Sequence, residues 1–186
     1  MDPRLFNSLM PAFNEQWAAD ILGMNLNRAN GPDLLDDNKF VEIKFTLTNS
    51  NCGNENKYPK DWTLLEHQME YEKDTGLIGY WGLGLYELDR PVSSIRKGPD
   101  LEQYVTKREL YLVPFEWMNQ FPKSHNIGKT DKSSWDYWMR YPQMSKLPKI
   151  KKTYPVQGGL VYLTKGVFSR SFDIQTTNLL IPGVPF

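Results

Sequence analysis

Apolar and polar residues follow two different periods along the chain, and each period predicts one type of element. Apolar side chains recur every four residues between Pro11 and Gly23, which predicts a first helix over residues 12–22. Apolar and polar side chains alternate from Phe40 to Thr48, as they do in a strand with one buried face. The chain therefore begins with a helix and continues into extended structure.

The same rules predict the later elements. They are a helix from residue 61 or 63 to 73, a buried strand over 77–88 whose glycines indicate that something packs closely against it, a strand over 109–113, a loop over 122–133, a short helix over 133–141, and a hairpin of 156–164 with 167–175 around Lys165-Gly166. This order predicts a mixed α/β or α+β fold, with a central mixed sheet flanked by helices. We expect one domain, with a core over about 12–121 and an addition over about 122–186 that carries a C-terminal β-hairpin.

Composition narrows the class of protein. Of the 186 residues, 40% are hydrophobic, which is enough to build a core. Lys and Arg together number 22, as do Asp and Glu, so bulk positive charge cannot coat nucleic acid, although a local basic groove remains open. Cys52 is the single cysteine, so no internal disulfide forms. With no leader-like start and no apolar run of about 20 residues, we expect a cytoplasmic protein without a membrane span.

A hairpin in the first third of the chain brings two carboxylates together. If Asp37 and Asn38 form a two-residue turn, the pairing places Asp33 directly opposite Glu42. Side chains alternate along a strand, so Lys44 shares the face of Glu42. A slip of one residue would move these groups to different faces.

The same turn predicts which side chains of the hairpin enter the core. Leu34 faces Val41 in this register, and Ile43 and Phe45 lie on the same side as Val41. The hairpin therefore has one apolar face and one face that carries the charged groups.

Two opposed carboxylates destabilise a sheet unless something offsets their repulsion. One carboxyl can be protonated, Lys44 can neutralise one of them, or a divalent cation can bind between them. The alternative hypothesis is an ordinary exposed hairpin with solvated charges, because strands of this pattern are common.

Pro32-Asp33, eight intervening residues and Glu42-Ile43-Lys44 resemble the signature of the PD-(D/E)XK nuclease superfamily. The predicted order of elements over residues 12–113 looks like the αβββαβ core of that superfamily, which is a restriction-endonuclease-like fold. The remaining residues, mostly C-terminal, have no counterpart that we can assign.

The resemblance implies a magnesium site, at which manganese would substitute. Asp33 and Glu42 would bind the metal together with the backbone carbonyl of Ile43, and Lys44 would position or activate a water molecule. These residues are therefore our candidates for the catalytic centre.

Three further residues enter through the same resemblance. Glu15 would stand where many members place an additional acidic residue near the metal, and the alternative is that it merely solvates the first helix. Gln68 and Tyr71 resemble a Gln and a Tyr that some members carry on the second helix. They are three residues apart, whereas the RecB-like branch has a separation of four, and an exposed helix position is the alternative for Gln68.

The implied activity is magnesium-dependent hydrolysis of phosphodiester bonds in double-stranded DNA. We expect a site-specific endonuclease of restriction type, acting as a homodimer with its apolar tail, residues 178–186, at the interface. A structure-selective nuclease such as a Holliday-junction resolvase, a homing or phage nuclease, and a non-catalytic nucleic-acid-binding module are the alternatives.

Basic and amide side chains in the C-terminal third are candidates for DNA contacts, and a solvated surface is the alternative. They are Lys146, Lys149, Lys151, Lys152, Gln157, Lys165, Arg170 and Gln175. His67 and His125 have no partner at metal-ligand spacing, so zinc is not expected.

Overall fold

The computed structural model describes residues 1–48, 61–96, 100–120, 124–127, 133–140, 147 and 149–176. Its helices are α1 (Pro3–Leu22) and α2 (Glu66–Thr75). Its strands are β1 (Asn25–Leu26), β2 (Leu34–Leu35), β3 (Lys39–Leu47), β4 (Asp61–Leu65), β5 (Ile78–Leu88), β6 (Val105–Pro114), β7 (Ser124–Ile127), β8 (Ser133–Arg140), β9 (Lys152–Val156) and β10 (Gly159–Leu163). Short 3-10 helices lie at Val92–Ser94, Glu102–Tyr104, Phe115–Gln120 and Ser169–Ser171.

A seven-stranded mixed sheet runs through the molecule in the order β1-β2-β3-β5-β6-β10-β9. The pairs β3–β5 and β6–β10 are parallel, and the other neighbours are antiparallel. A second, three-stranded sheet has the order β4-β8-β7. The predicted α/β class and the mixed sheet are confirmed.

Helix α1 is longer than the sequence pattern predicts. It begins at Pro3, behind an Asp2 side chain that accepts hydrogen bonds from the amides of Arg4 and Leu5, and it continues through Pro11. A proline inside a helix removes a hydrogen bond, which is why the prediction placed the start too late. The predicted end is confirmed, because Gly23 adopts the left-handed conformation with φ 61° that closes a helix.

The hairpin register deduced from the turn is confirmed. Leu34 pairs with Val41 and Leu35 pairs with Phe40, while the amide of Asp36 donates to the carbonyl of Lys39 at 3.0 Å. The turn is therefore Asp37-Asn38, and the carboxylate face and the apolar face of the hairpin follow from it.

Strand β5 runs through the centre of the main sheet beside β3, and its glycines are sites of close packing. A Cβ at Gly82 would lie 2.5 Å from Ile43 Cδ1, and a Cβ at Gly79 would lie 2.7 Å from the ring of Phe115. Because neighbouring side chains fill this space, the prediction that something packs closely against this strand is confirmed.

Different elements pack on the two faces of the main sheet. Helix α1 packs on one face, where its Ala18 and Leu22 join a buried cluster with Val41 and Ile43. On the other face, Trp62 of β4 and Leu64 are buried against residues such as Trp81. The described residues contain only two α-helices, so the expected helix-flanked sheet is not clearly present.

Two predicted helical segments are strands. Residues 61–65 form β4 and residues 133–140 form β8, and these two strands pair antiparallel. Both segments contain aromatic residues, which favour strands once a partner strand is available. The helix α2 therefore starts at Glu66 rather than near residue 61, and part of the predicted loop at 122–133 is strand β7.

The C-terminal hairpin exists at a different place from the predicted one. It is formed by β9 and β10 around Gln157 and Gly158, where Gly158 has φ 76°. Residues 167–175 contain a 3-10 helix and no strand. Pro155 argues against a strand in the sequence, which is why β9 was not predicted. Because β9 is at the edge of the sheet, it tolerates this proline.

Strand β10 pairs in parallel with β6, so the hairpin extends the main sheet. Within the described ranges, no helix is long and apolar enough to cross a membrane. Cys52, Lys146 and the tail over 178–186 lie outside the described residues.

We expect Gly159→Ala to loosen the attachment of this hairpin to the core sheet. A Cβ at Gly159 would lie 2.9 Å from the carbonyl carbon of Arg108, and backbone cannot move aside as a flexible side chain can. The expected loss is about 1–3 kcal/mol of the free energy of unfolding, measured by urea denaturation. The matched control is Gly158→Asn, because asparagine tolerates the left-handed region and a Cβ there meets only Trp17 Nε1 at 3.6 Å. Equal stability of the two variants would contradict this account.

Candidate metal centre

Asp33 is held at the edge of β3 by a hydrogen bond from that strand. The amide of Ile43 donates to Asp33 Oδ2 at 2.7 Å. Extending the register of the hairpin by two residues beyond Leu34 and Val41 places Pro32 opposite Ile43. The carbonyl of Pro32 instead accepts a hydrogen bond from Asn27 Nδ2 at 2.9 Å. The amide of Ile43 is therefore left to donate to the carboxylate of Asp33.

The carbonyl of Ile43 points to the same edge as Asp33. In a strand, the N–H and C=O of one residue face the same neighbour, and the N–H of Ile43 faces Asp33. Pro32, opposite Ile43, has no N–H to donate to that carbonyl. The Pro-Asp pair thus places a carboxylate beside a carbonyl oxygen that the adjoining strand cannot satisfy.

Glu42 is buried on the opposite face of β3 from the α1 core, and two side chains converge on it. Lys44 Nζ lies 2.5 Å from Glu42 Oε1 as an ion pair, and Gln68 Nε2 of α2 donates to the same oxygen. The structure therefore joins Glu42, Lys44 and Gln68 directly. The separation of Gln68 from Glu42 in sequence is 26 residues, so helix α2 is what delivers this contact.

Glu15 reaches the site from the other side. It lines a cleft of about 330 Å³ between α1 and the edge of β3, and Asp33, Ile43 and Lys44 line the same cleft. Tyr71, by contrast, packs its ring edge-on against Phe40, with the ring centroids 5.0 Å apart, as a core residue does.

Burial makes the site unfavourable for negative charge. It raises the pKa of Asp33, although the Lys44 ammonium and the Ile43 amide act in the opposite direction. It raises the pKa of Glu42 as well, and the charge of Asp33 adds to that rise while Lys44 opposes it. Burial and Asp33 together raise the pKa of Glu15. A cation at this site would favour the ionised form of each carboxyl.

The donor set fits magnesium, which takes oxygen ligands and often needs only one or two carboxylates with waters or phosphate. Asp33 and Glu42 supply carboxylate oxygens and Ile43 a carbonyl oxygen. Among the residues that the structure describes, no three His, Cys, Asp or Glu side chains are close enough together to hold a metal ion. Waters or substrate would supply the remaining ligands, and Glu15, which lines the same cleft as Asp33, stays a candidate residue near the metal.

One contribution to the site was not visible in the sequence. Asn14 lines the cleft beside Glu15, and its Oδ1 accepts a hydrogen bond from Arg108 Nε at 3.0 Å. Arg108 is buried and also makes a bidentate ion pair with Glu102 at 2.7 Å. Asn14 and Arg108 are 94 residues apart, so no local pattern could have indicated the contact.

No family model matches the chain, and no curated protein or solved structure matches it either. The resemblance to PD-(D/E)XK nucleases therefore remains a prediction from the sequence motif.

We expect Asp33→Asn, measured in EDTA, to be at least as stable as the wild type at neutral pH. The pKa of Asp33 is raised in the folded state. At pH values just above the ordinary pKa of a carboxyl group, the folded protein therefore binds more protons at this position than the unfolded chain does. Stability from this group is present at low pH and is lost as pH rises through the raised pKa. Asparagine keeps an acceptor for the Ile43 amide without the charge. Urea unfolding of both proteins over a pH series measures the difference.

The control is Asp36→Asn, which should show the opposite trend. A hydrogen bond from Lys39 lowers the pKa of Asp36, so its stabilisation is present at neutral pH and is lost as pH falls. If Asp33→Asn lost stability at neutral pH as Asp36→Asn does, the charge of Asp33 would be favourable in the fold and our account of the site would be wrong.

Proposed function

We propose that this protein is a magnesium-dependent DNA endonuclease that hydrolyses phosphodiester bonds, with Asp33, Glu42 and Lys44 at its catalytic centre. The observation that carries the proposal is the register of the β2–β3 hairpin, which puts Asp33 beside the strand that bears Glu42 and Lys44. The Pro-Asp and Glu-Ile-Lys motifs are thus neighbours in the folded protein as well as in the sequence signature. Double-stranded DNA as the substrate, site-specific cleavage and a homodimer remain parts of this proposal.

Magnesium bound to Asp33 and Glu42 would supply an activated water and neutralise charge that develops on the phosphate. Lys44 is the cationic side chain of the motif, and it is about a quarter exposed, at 27% of its side-chain surface. Its ammonium can therefore donate a hydrogen bond to a water or phosphate oxygen in the cleft while its position beside Glu42 orients it.

Gln68 acts as a positioning residue in this scheme. Its amide fixes Glu42 Oε1 on one side while Lys44 approaches the same oxygen from its own position on β3. Hydrogen-bonded partners of a metal-binding carboxylate orient it, and their loss commonly costs about 10- to 100-fold in affinity or activity. Glu15, on the far side of the cleft, adds negative charge close to Asp33.

We expect Lys44→Ala to reduce magnesium-dependent nicking of supercoiled plasmid by at least about 100-fold, because it removes a donor aimed at developing charge. The control is Lys107→Ala, which removes an exposed cation that pairs with Glu109 on a strand away from the site. Agarose-gel time courses in magnesium and in EDTA measure the rate, and digestion of phage DNA shows whether the cuts are discrete.

Discrete bands that require magnesium and vanish with Lys44→Ala support a site-specific endonuclease. Cleavage of branched DNA alone, with linear and supercoiled DNA intact, favours the structure-selective alternative. Absence of cleavage on all of these substrates would falsify the proposed activity and leave a non-catalytic binding module.

Metal binding has a separate readout in stability. A ligand that binds only the folded state, present at about 100 times its dissociation constant, adds about 2.7 kcal/mol to the free energy of unfolding. We expect manganese or magnesium to raise the melting temperature of the wild type, and Asp33→Asn and Glu42→Gln each to remove that rise. Asp36→Asn, which changes a partly exposed carboxylate on the same hairpin, should keep it. A rise of equal size in all four proteins would place the metal elsewhere.

A further inference from the structure

A second cavity, of about 750 Å³, lies at the end of β10 outside the carboxylate site. Its walls combine aromatic and basic side chains, which are Trp117, Phe168, Lys151, Lys152 and Lys165. Its remaining lining includes small and apolar residues such as Gly166 and Val167. The basic residues are among those that the sequence indicated as candidates for DNA contacts.

The charge of this cavity is positive. Three lysines line it against one carboxylate, Glu116. Lys151, Lys152 and Lys165 are all exposed, so their ammonium groups can reach a bound anion. The cavity thus complements an anionic ligand in a chain whose formal net charge is zero.

Phe168 gives the cavity an exposed aromatic surface. Its side chain is 62% exposed, so its ring is accessible to a ligand in the cavity. The guanidinium of Arg170 stands 6.0 Å from the centroid of its ring. A planar aromatic ring beside a guanidinium offers two surfaces on which a nucleobase stacks.

The cavity stands level with the metal centre across the sheet. Leu163 of its lining pairs with Leu112, Leu112 pairs with Gly82, and Gly82 pairs with Ile43. Three strand spacings of about 4.8 Å separate Leu163 from Ile43, a distance of roughly 15 Å. Ile43, Leu112 and Leu163 are buried in one core cluster, so this length is a separation through the sheet.

We propose that this cavity binds an unpaired nucleotide of a DNA strand, with the base stacked on Phe168 and the phosphate held by the lysines. The apolar wall and exposed ring suit a base, and the ammonium groups suit a phosphate. That the strand is DNA rests on the proposed function, whereas the stacking and charge do not. The substrate would then carry an unpaired or extruded nucleotide near the cleavage site.

The test measures binding in EDTA, so that it does not depend on metal or on cleavage. The probe is a fluorescent oligothymidylate of about 12 nucleotides, compared by anisotropy with the same strand paired to oligodeoxyadenylate. Phe168→Ala and Phe168→Leu remove the ring, and Phe168→Tyr retains it. Because Phe168 is exposed, these changes leave the core intact, and thermal unfolding checks this.

We expect the single strand to bind more tightly than the duplex. Phe168→Ala and Phe168→Leu should weaken single-strand binding by at least about fivefold, and Phe168→Tyr should preserve it. Lys165→Ala should reduce the slope of log affinity against log salt by about 0.7, the value for one phosphate contact on a single strand. Arg4→Ala, an exposed cation in the first turn of α1, should leave both quantities unchanged.

Single-strand binding that is unchanged in Phe168→Ala and in Lys165→Ala overturns the inference, as does binding only to the duplex. Parallel plasmid assays in magnesium separate this failure from failure of the proposed activity. Magnesium-dependent cleavage without the Phe168 effect keeps the nuclease and removes this binding site. The Phe168 effect without any cleavage keeps the binding site and removes the nuclease.

Discussion

The proline at position 32 decides what happens at the edge of β3. A backbone N–H there would continue the antiparallel ladder with Ile43, and both polar groups of Ile43 would be used within the sheet. Proline cannot donate, and its carbonyl accepts from Asn27, so the ladder stops at Leu34. The Asp33 carboxylate then accepts the Ile43 amide at 2.7 Å. This single backbone constraint therefore lets the Asp33 carboxylate accept from Ile43, and it leaves the carbonyl of Ile43 without an N–H opposite it.

The electrostatics of the site follow from that placement. Asp33 and Glu42 are held close together in a partly buried region, and burial raises the pKa of each. The hydrophobic packing of the hairpin on α1 sustains an arrangement that the two charges alone would oppose. Lys44 offsets part of the repulsion, and a divalent cation would offset more. Structural stability and metal affinity are consequently opposed at these carboxylates, as is common at functional sites.

The elements that could be predicted are those whose contacts are local in sequence. The turn at 37–38 determines the β2–β3 register within a few residues, so the carboxylate pair follows from arithmetic. Strands at 61–65 and 133–140 depend on each other across a long stretch of chain, and each contains enough helix-like spacing to mislead when it stands alone. Gln68 was a candidate only through the family resemblance. Its contact with Glu42 could not be predicted, because that geometry requires the position of α2 against the sheet.

A set of long-range contacts around Arg108 links helix α1 to the β9–β10 hairpin. Arg108 donates to Asn14 on α1, pairs with Glu102, and lies 5.3 Å from the ring of Trp17, whose indole donates to the turn of the β9–β10 hairpin. A buried guanidinium tolerates little displacement, because any unpaired donor there would be costly. The turn of α1 that carries Glu15 is thereby tied to the C-terminal hairpin. The hairpin thus helps to set where Glu15 stands in the cleft, even though it contributes no side chain to the metal centre. Under the proposed function, these contacts would connect the C-terminal hairpin, which carries Lys152 of the proposed nucleotide site, to the geometry of the carboxylates.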